Sequence, residues 1–130
     1  MKINSREEIA HLLASWVECG WLRELDRALV TFLAKQSPDA QPLLLLATAL
    51  TSYQLGRGHV CLDLQATLAD SAFSLSLPPE GDHADGAVIR PAAVLENLSL
   101  TEWMAALVHP QLVGNGEGNS PLVLIGHRLY

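Results

Sequence analysis

The sequence predicts a mainly α domain of the α+β class, a compact bundle of four or five helices with a short strand and a C-terminal β-hairpin. Three observations carry that prediction. Apolar residues recur at helical spacing in successive segments between Ile9 and Leu55. Capping boxes of the form Ser-x-x-Glu stand at Ser5–Glu8 and Ser99–Glu102, where helices begin. At the C-terminal end, Leu122–Ile125, a Gly126-His127 turn and Arg128–Tyr130 read as two strands joined by a tight connection.

The first helix opens at Ser5 and carries Ile9, Leu12, Leu13, Trp16 and Val17 on one face, with Gly20 as its stop. A second runs over about 22–35, with Leu22, Leu25, Ala28, Leu29, Phe32 and Leu33 as its apolar face. Ser37-Pro38-Asp39 breaks it, because a residue before proline is pushed out of the helical region. Pro42 suits the first turn of a third helix reaching about Leu55. Leu43 to Ala47, Ala49 and Leu50 surround that helix almost completely, which marks it as central or covered by a partner.

Gly56-Arg57-Gly58 ends the third helix, His59–Leu62 reads as a short strand, and Leu64–Ala69 forms a helical turn or two. Residues 71–95 carry no decisive pattern, and Pro78–Gly86 is loop by composition. Ser99 launches a helix bearing Trp103, Met104, Ala106 and Leu107, which Pro110 ends. Gly114–Ser120 is a flexible connection to the hairpin. The return strand stops after three residues, as expected of a domain belonging to a longer gene product.

One domain, residues 1–130, accommodates all of this: 49% hydrophobic and 17% charged residues can build a core but not a disordered chain. No secretory signal is visible at the N-terminus, and the greasiest run, Pro42–Leu50, is far shorter than the roughly 20 residues a membrane span requires. Two cysteines, Cys19 and Cys61, fall short of a disulfide framework and fit a reducing, cytoplasmic setting. The net charge of −6 is unevenly placed. Residues 1–35 balance to zero, whereas 36–130 hold Arg57, Arg90 and Arg128 against nine acids. Such a surface repels nucleic acid, whose non-specific affinity depends on Lys and Arg.

Candidate chemistry is thin. His59-x-Cys61 supplies two possible metal ligands where zinc needs four, or three and a water, so a structural role is the expectation. Asp82-His83-x-Asp85 lies in a Pro/Gly loop without a calcium-loop pattern. Gly114-x-Gly116-x-Gly118 lacks the Lys-Ser/Thr of a phosphate loop, and no lysine occurs after Lys35. No serine sits in a Gly-x-Ser-x-Gly elbow. The residues therefore imply no catalytic, cofactor-binding or metal site. Trp16 and Trp103 fall on apolar faces and are expected in the core. Trp21, at the turn after Gly20, is the candidate for exposure and for contact with a partner.

Four segments extend this reading. Gly56-Arg57-Gly58-His59-Val60-Cys61-Leu62 resembles the Gly-x-Gly-His-Val-Cys-Leu segment near the start of RecD proteins, the alpha subunits of bacterial exodeoxyribonuclease V. Pro121–Tyr130 resembles the Pro-Leu-Val-Leu-x-Gly-x-Arg-Leu-Tyr hairpin closing that family's N-terminal region. Leu22-Arg23-x-Leu25-Asp26 and Leu100-x-x-Trp103-x-x-x-Leu107 fall in the same order. The resemblance spans essentially the whole chain, with 65–95 the poorest match and departures in the proline-rich 78–91 stretch and at Trp21.

The resemblance implies a non-catalytic, protein-interaction N-terminal domain that docks on a RecC-type subunit of the RecBCD helicase–nuclease. The parent would be an ATP-dependent 5′–3′ DNA helicase subunit acting in double-strand-break repair and homologous recombination. ATP and magnesium would belong to its motor domains, whose motifs are absent here; this chain would bind neither cofactor nor nucleic acid. A winged-helix-like DNA-contacting module and a small enzyme or metal-dependent regulator using His59, Cys61 and the acidic Asp82–Asp85 loop are the competing expectations.

Overall fold

The computed structural model describes residues 6–69, 94–95, 98–109, 112–114 and 120–130. Its first helix, α1 (Arg6–Glu18), buries Ile9, Leu12, Leu13 and Trp16, the i, i+3, i+4, i+7 stripe read from the sequence. Ser5 lies outside the described residues. Gly20, at φ +77°, takes the left-handed conformation that closes the helix. Its N–H donates to the Val17 carbonyl, and the Trp21 N–H donates to the Trp16 carbonyl at 2.9 Å. That pair of bonds is a Schellman motif, and it folds the chain back against the helix it has just left.

The second helix, α2 (Glu24–Gln36), is capped from Arg23, whose backbone N–H donates to the Asp26 carboxylate at 2.9 Å. Here the structure corrects the sequence. The face turned inward carries Asp26, Val30 and Leu33, whereas Leu25 and Phe32 are 63% and 58% exposed. The helix is rotated away from its most apolar arc because Asp26, wholly buried, is held there by Arg23 and Ser52.

The third helix, α3 (Pro42–Gly56), begins with Pro42 in its first turn and buries every residue from Leu44 to Thr51. Two hydroxyls share that apolar setting because each bonds back into its own helix: Thr48 Oγ1 to the Leu44 carbonyl and Thr51 Oγ1 to the Ala47 carbonyl. The helix α3 packs against α1, α2, the C-terminal helix and the first strand, so its all-round apolar surface is covered within the domain.

The strand predicted for His59–Leu62 starts later: β1 is Leu62–Asp63, and His59 and Val60 are exposed. The next helix, α4 (Leu64–Ala69), begins with Asp63 Oδ1 accepting the Ala66 N–H at 3.0 Å. Most of 71–95, including Pro78–Gly86, lies outside the described residues; Val94 and Leu95 are buried. The capping box at Ser99 forms, its Oγ accepting from Glu102 N at 3.0 Å, and starts α5 (Leu100–Ala106). Trp103 is wholly buried, and its indole N–H donates to the Leu43 carbonyl at 3.1 Å, tying α5 to α3.

Gly114, read as flexible connection, instead belongs to β2 (Val113–Gly114); 115–119 lie outside the described residues. The hairpin is β3 (Leu122–Ile125) and β4 (Arg128–Leu129). The sheet order is β1-β4-β3-β2, with β2 parallel to β3 and the other pairs antiparallel. Leu62 pairs with Leu129, so the hairpin delivers the buried Leu129 to the strand that follows α3.

Candidate functional site

The sequence offered Trp21 as an exposed anchor, and the structure overturns its exposure: Trp21 is 5% exposed and belongs to the core with Trp16, Leu22 and Leu33. The Schellman turn supplies the reason, since it reverses the chain and lays the residue after Gly20 over the helix end. His59 is exposed beside a half-buried Cys61. Asp82, His83 and Asp85 lie outside the described residues, among which no three His, Cys, Asp or Glu side chains come together to hold a metal.

Sequence reasoning missed three features. The first joins two segments that lie apart in the chain. Asp26 accepts from Arg23 Nη2 at 2.7 Å and from Ser52 Oγ at 2.6 Å, and Arg23 Nη2 also donates to the Ser52 carbonyl at 3.0 Å. The start of α2 is thereby fixed to the end of α3, where the Arg23 guanidinium lies against Gly56. The hydrogen bond from Arg23 to Asp26 raises the guanidinium pKa above its ordinary value, against a lowering by desolvation. The segment Leu22–Asp26 thus meets the end of α3 at Ser52 and at Gly56, the residue that opens the segment Gly56–Leu62. Asp at the third position of α2 was the sequence signal for it.

The second feature is the exposure of part of the α2 face that the sequence marks as apolar. Leu25 and Phe32 are more than half exposed and Leu29 lies partly buried between them, at i, i+4 and i+7. Large aromatic and aliphatic side chains aligned on one helix flank are the kind of surface that a partner covers.

The third is a groove of about 450 Å³ on the opposite flank, between α1 and α2. Ile9, Leu13, Val30 and Leu45 form its floor, and the small residues Ala10, Thr31 and Ala34 leave its walls low. Arg6, Arg27 and Lys35 stand around it against a single carboxylate, Glu7. Arg6 bridges to the last turn of α2 and to the loop after it through bonds to the Ala34 and Pro38 carbonyls.

A family model described as RecBCD enzyme subunit RecD, N-terminal domain, matches residues 18–130, from the end of α1 through the hairpin. No curated protein matches the chain. Among the described residues no helix is long and apolar enough to cross a membrane.

Proposed function

The chain belongs to the family of RecD N-terminal domains, and from that premise we propose that it is a non-catalytic docking domain that seats its subunit on a RecC-type subunit. The parent subunit would supply ATP-dependent 5′–3′ DNA unwinding in the cytoplasm, for double-strand-break repair and recombination. Nucleotide and magnesium would be bound by its motor domains, and this domain would contribute position.

The observation that carries the docking role is the pairing of Leu25 and Phe32, 63% and 58% exposed on one flank of α2. Two large apolar side chains one turn either side of Leu29 give a partner a ready stripe, and a rigid one. The helix beneath them is fixed at its start by the buried Asp26 carboxylate and along its length by Val30 and Leu33. An anchored helix loses little entropy on binding, which favours association.

The test is a titration of the 130-residue chain into a purified RecC-type subunit, followed by calorimetry. Saturable binding that weakens in Phe32→Asp supports the role. Failure to bind at tens of micromolar overturns it.

A further inference from the structure

We propose that the α1–α2 groove receives an acidic segment of the partner subunit, one carrying one or two large apolar side chains flanked by carboxylates; this rests on the docking reading. The floor, built from Ile9, Leu13, Val30 and Leu45, offers only hydrocarbon. Its occupant is therefore apolar at the centre.

Charge defines the rest of the occupant. Three cations, Arg6, Arg27 and Lys35, line the groove against Glu7, in a chain whose net charge is −6. Outside the groove Arg27 pairs with Glu24 at 3.3 Å, solvent-exposed on both sides and weak, and Arg6 lies within electrostatic reach of the exposed Asp39 carboxylate. Arg6 holds two carbonyls with its terminal nitrogens, and its buried Nε–H has no acceptor among the described residues. A carboxylate arriving at this rim meets three cations and one carboxylate among the residues that line it, a balance opposite in sign to the net charge of the chain.

A small polar ligand fits less well. Pockets for such ligands bring several polar groups to bear on one point, whereas the hydroxyl here, Thr31 Oγ1, already donates to the Arg27 carbonyl. A groove running between two helix flanks with low walls suits a peptide segment laid along it. The groove also joins α1, which largely precedes the family match, to α2, which lies within it.

The experiment measures binding of the chain to the purified RecC-type subunit at several salt concentrations, with Thr31→Trp to fill the groove and Lys35→Glu to reverse its rim. Both positions are exposed, so the variants keep their fold, and thermal melts verify it. The expected result is a loss of about tenfold or more in affinity for each, with Lys35→Glu also flattening the salt dependence. Wild-type binding that neither variant alters overturns the groove and leaves the docking role standing. Absence of wild-type binding overturns both. A dimer of the chain abolished by Thr31→Trp in sedimentation would assign the groove to a second copy and overturn the proposal. Saturable binding of a duplex oligonucleotide lost in Lys35→Glu would overturn it in favour of nucleic acid.

Discussion

Arg23 and Gly56 meet so closely across the α2–α3 corner that a Cβ on Gly56 would lie 2.5 Å from both terminal nitrogens of the guanidinium. A long side chain can usually swing away from such a clash. This one is held by Asp26 and by the Ser52 carbonyl. Gly56→Ala must therefore push Arg23 off its partners, and the lost charged hydrogen bonding outweighs the gain of up to about 1 kcal/mol from better helix propensity. We expect Gly56→Ala to destabilise the domain in urea unfolding. In an Arg23→Ala background the same change should become neutral or stabilising. Additive effects in that double-mutant cycle would show that the two residues do not interact.

Asp26→Ala should be the more damaging change at this corner. The carboxylate is wholly buried and accepts from the Arg23 backbone, the Arg23 guanidinium and the Ser52 hydroxyl. Its removal takes away the helix cap and leaves Ser52 without its acceptor, while Arg23, whose side chain is 45% exposed, recovers part of its loss from water. A cost of roughly 2–3 kcal/mol follows from these terms. A change below about 1 kcal/mol in the same urea measurement would mean that packing, and not the network, sets the rotation of α2.

The long periodic elements were legible in the sequence, and the corrections have a common cause. Pro42 marks the start of α3, and Ser99 with Glu102 marks α5, because proline geometry and capping are local chemistry. The inward face of α2 was not legible. Periodicity ranks Leu25 and Phe32 above Asp26, and the buried carboxylate is tolerable there through donors from Arg23 and from the distant Ser52. Trp21 fails for the same reason, since its burial depends on where a turn sends the chain. The groove depends on how α1 and α2 lie on α3, which no local pattern states.

Stability should respond to acid through Asp39. Its carboxylate lies 3.1 Å from His109 Nε2, while His109 Nδ1 accepts the Leu112 N–H, so Nε2 carries the proton and donates. That hydrogen bond, with smaller help from Arg6, lowers the Asp39 pKa below its ordinary value of 3.8. A lowered folded value means that the unfolded chain binds more protons in this range, so stability rises with pH there. The contribution is complete above the ordinary value and disappears as pH falls through the folded one. Melting temperatures of the wild type and Asp39→Asn should differ at neutral pH and converge in strong acid. A constant difference from pH 7 down to 2 would count against the pair.

Comparing Trp21 with Phe32 separates stability from recognition. Trp21 is 5% exposed in the core, whereas Phe32 is 58% exposed on the α2 flank. Trp21→Ala opens a cavity beneath the α1–α2 turn and should cost about 3–5 kcal/mol of folding stability. That is a large part of the ~5–15 kcal/mol that holds a domain together, so partner binding would fall only through loss of folded protein. Phe32→Ala removes a ring that is mostly in water and should change stability by no more than about 0.5 kcal/mol. If Phe32 is an anchor, its loss should weaken binding to the RecC-type subunit by about 2 kcal/mol, roughly thirtyfold. The measurement pairs thermal melts with calorimetric titration at a temperature where both variants remain folded. A stable Trp21→Ala that binds weakly, beside a Phe32→Ala that binds like the wild type, would reverse the two roles and return the docking surface to the turn after Gly20.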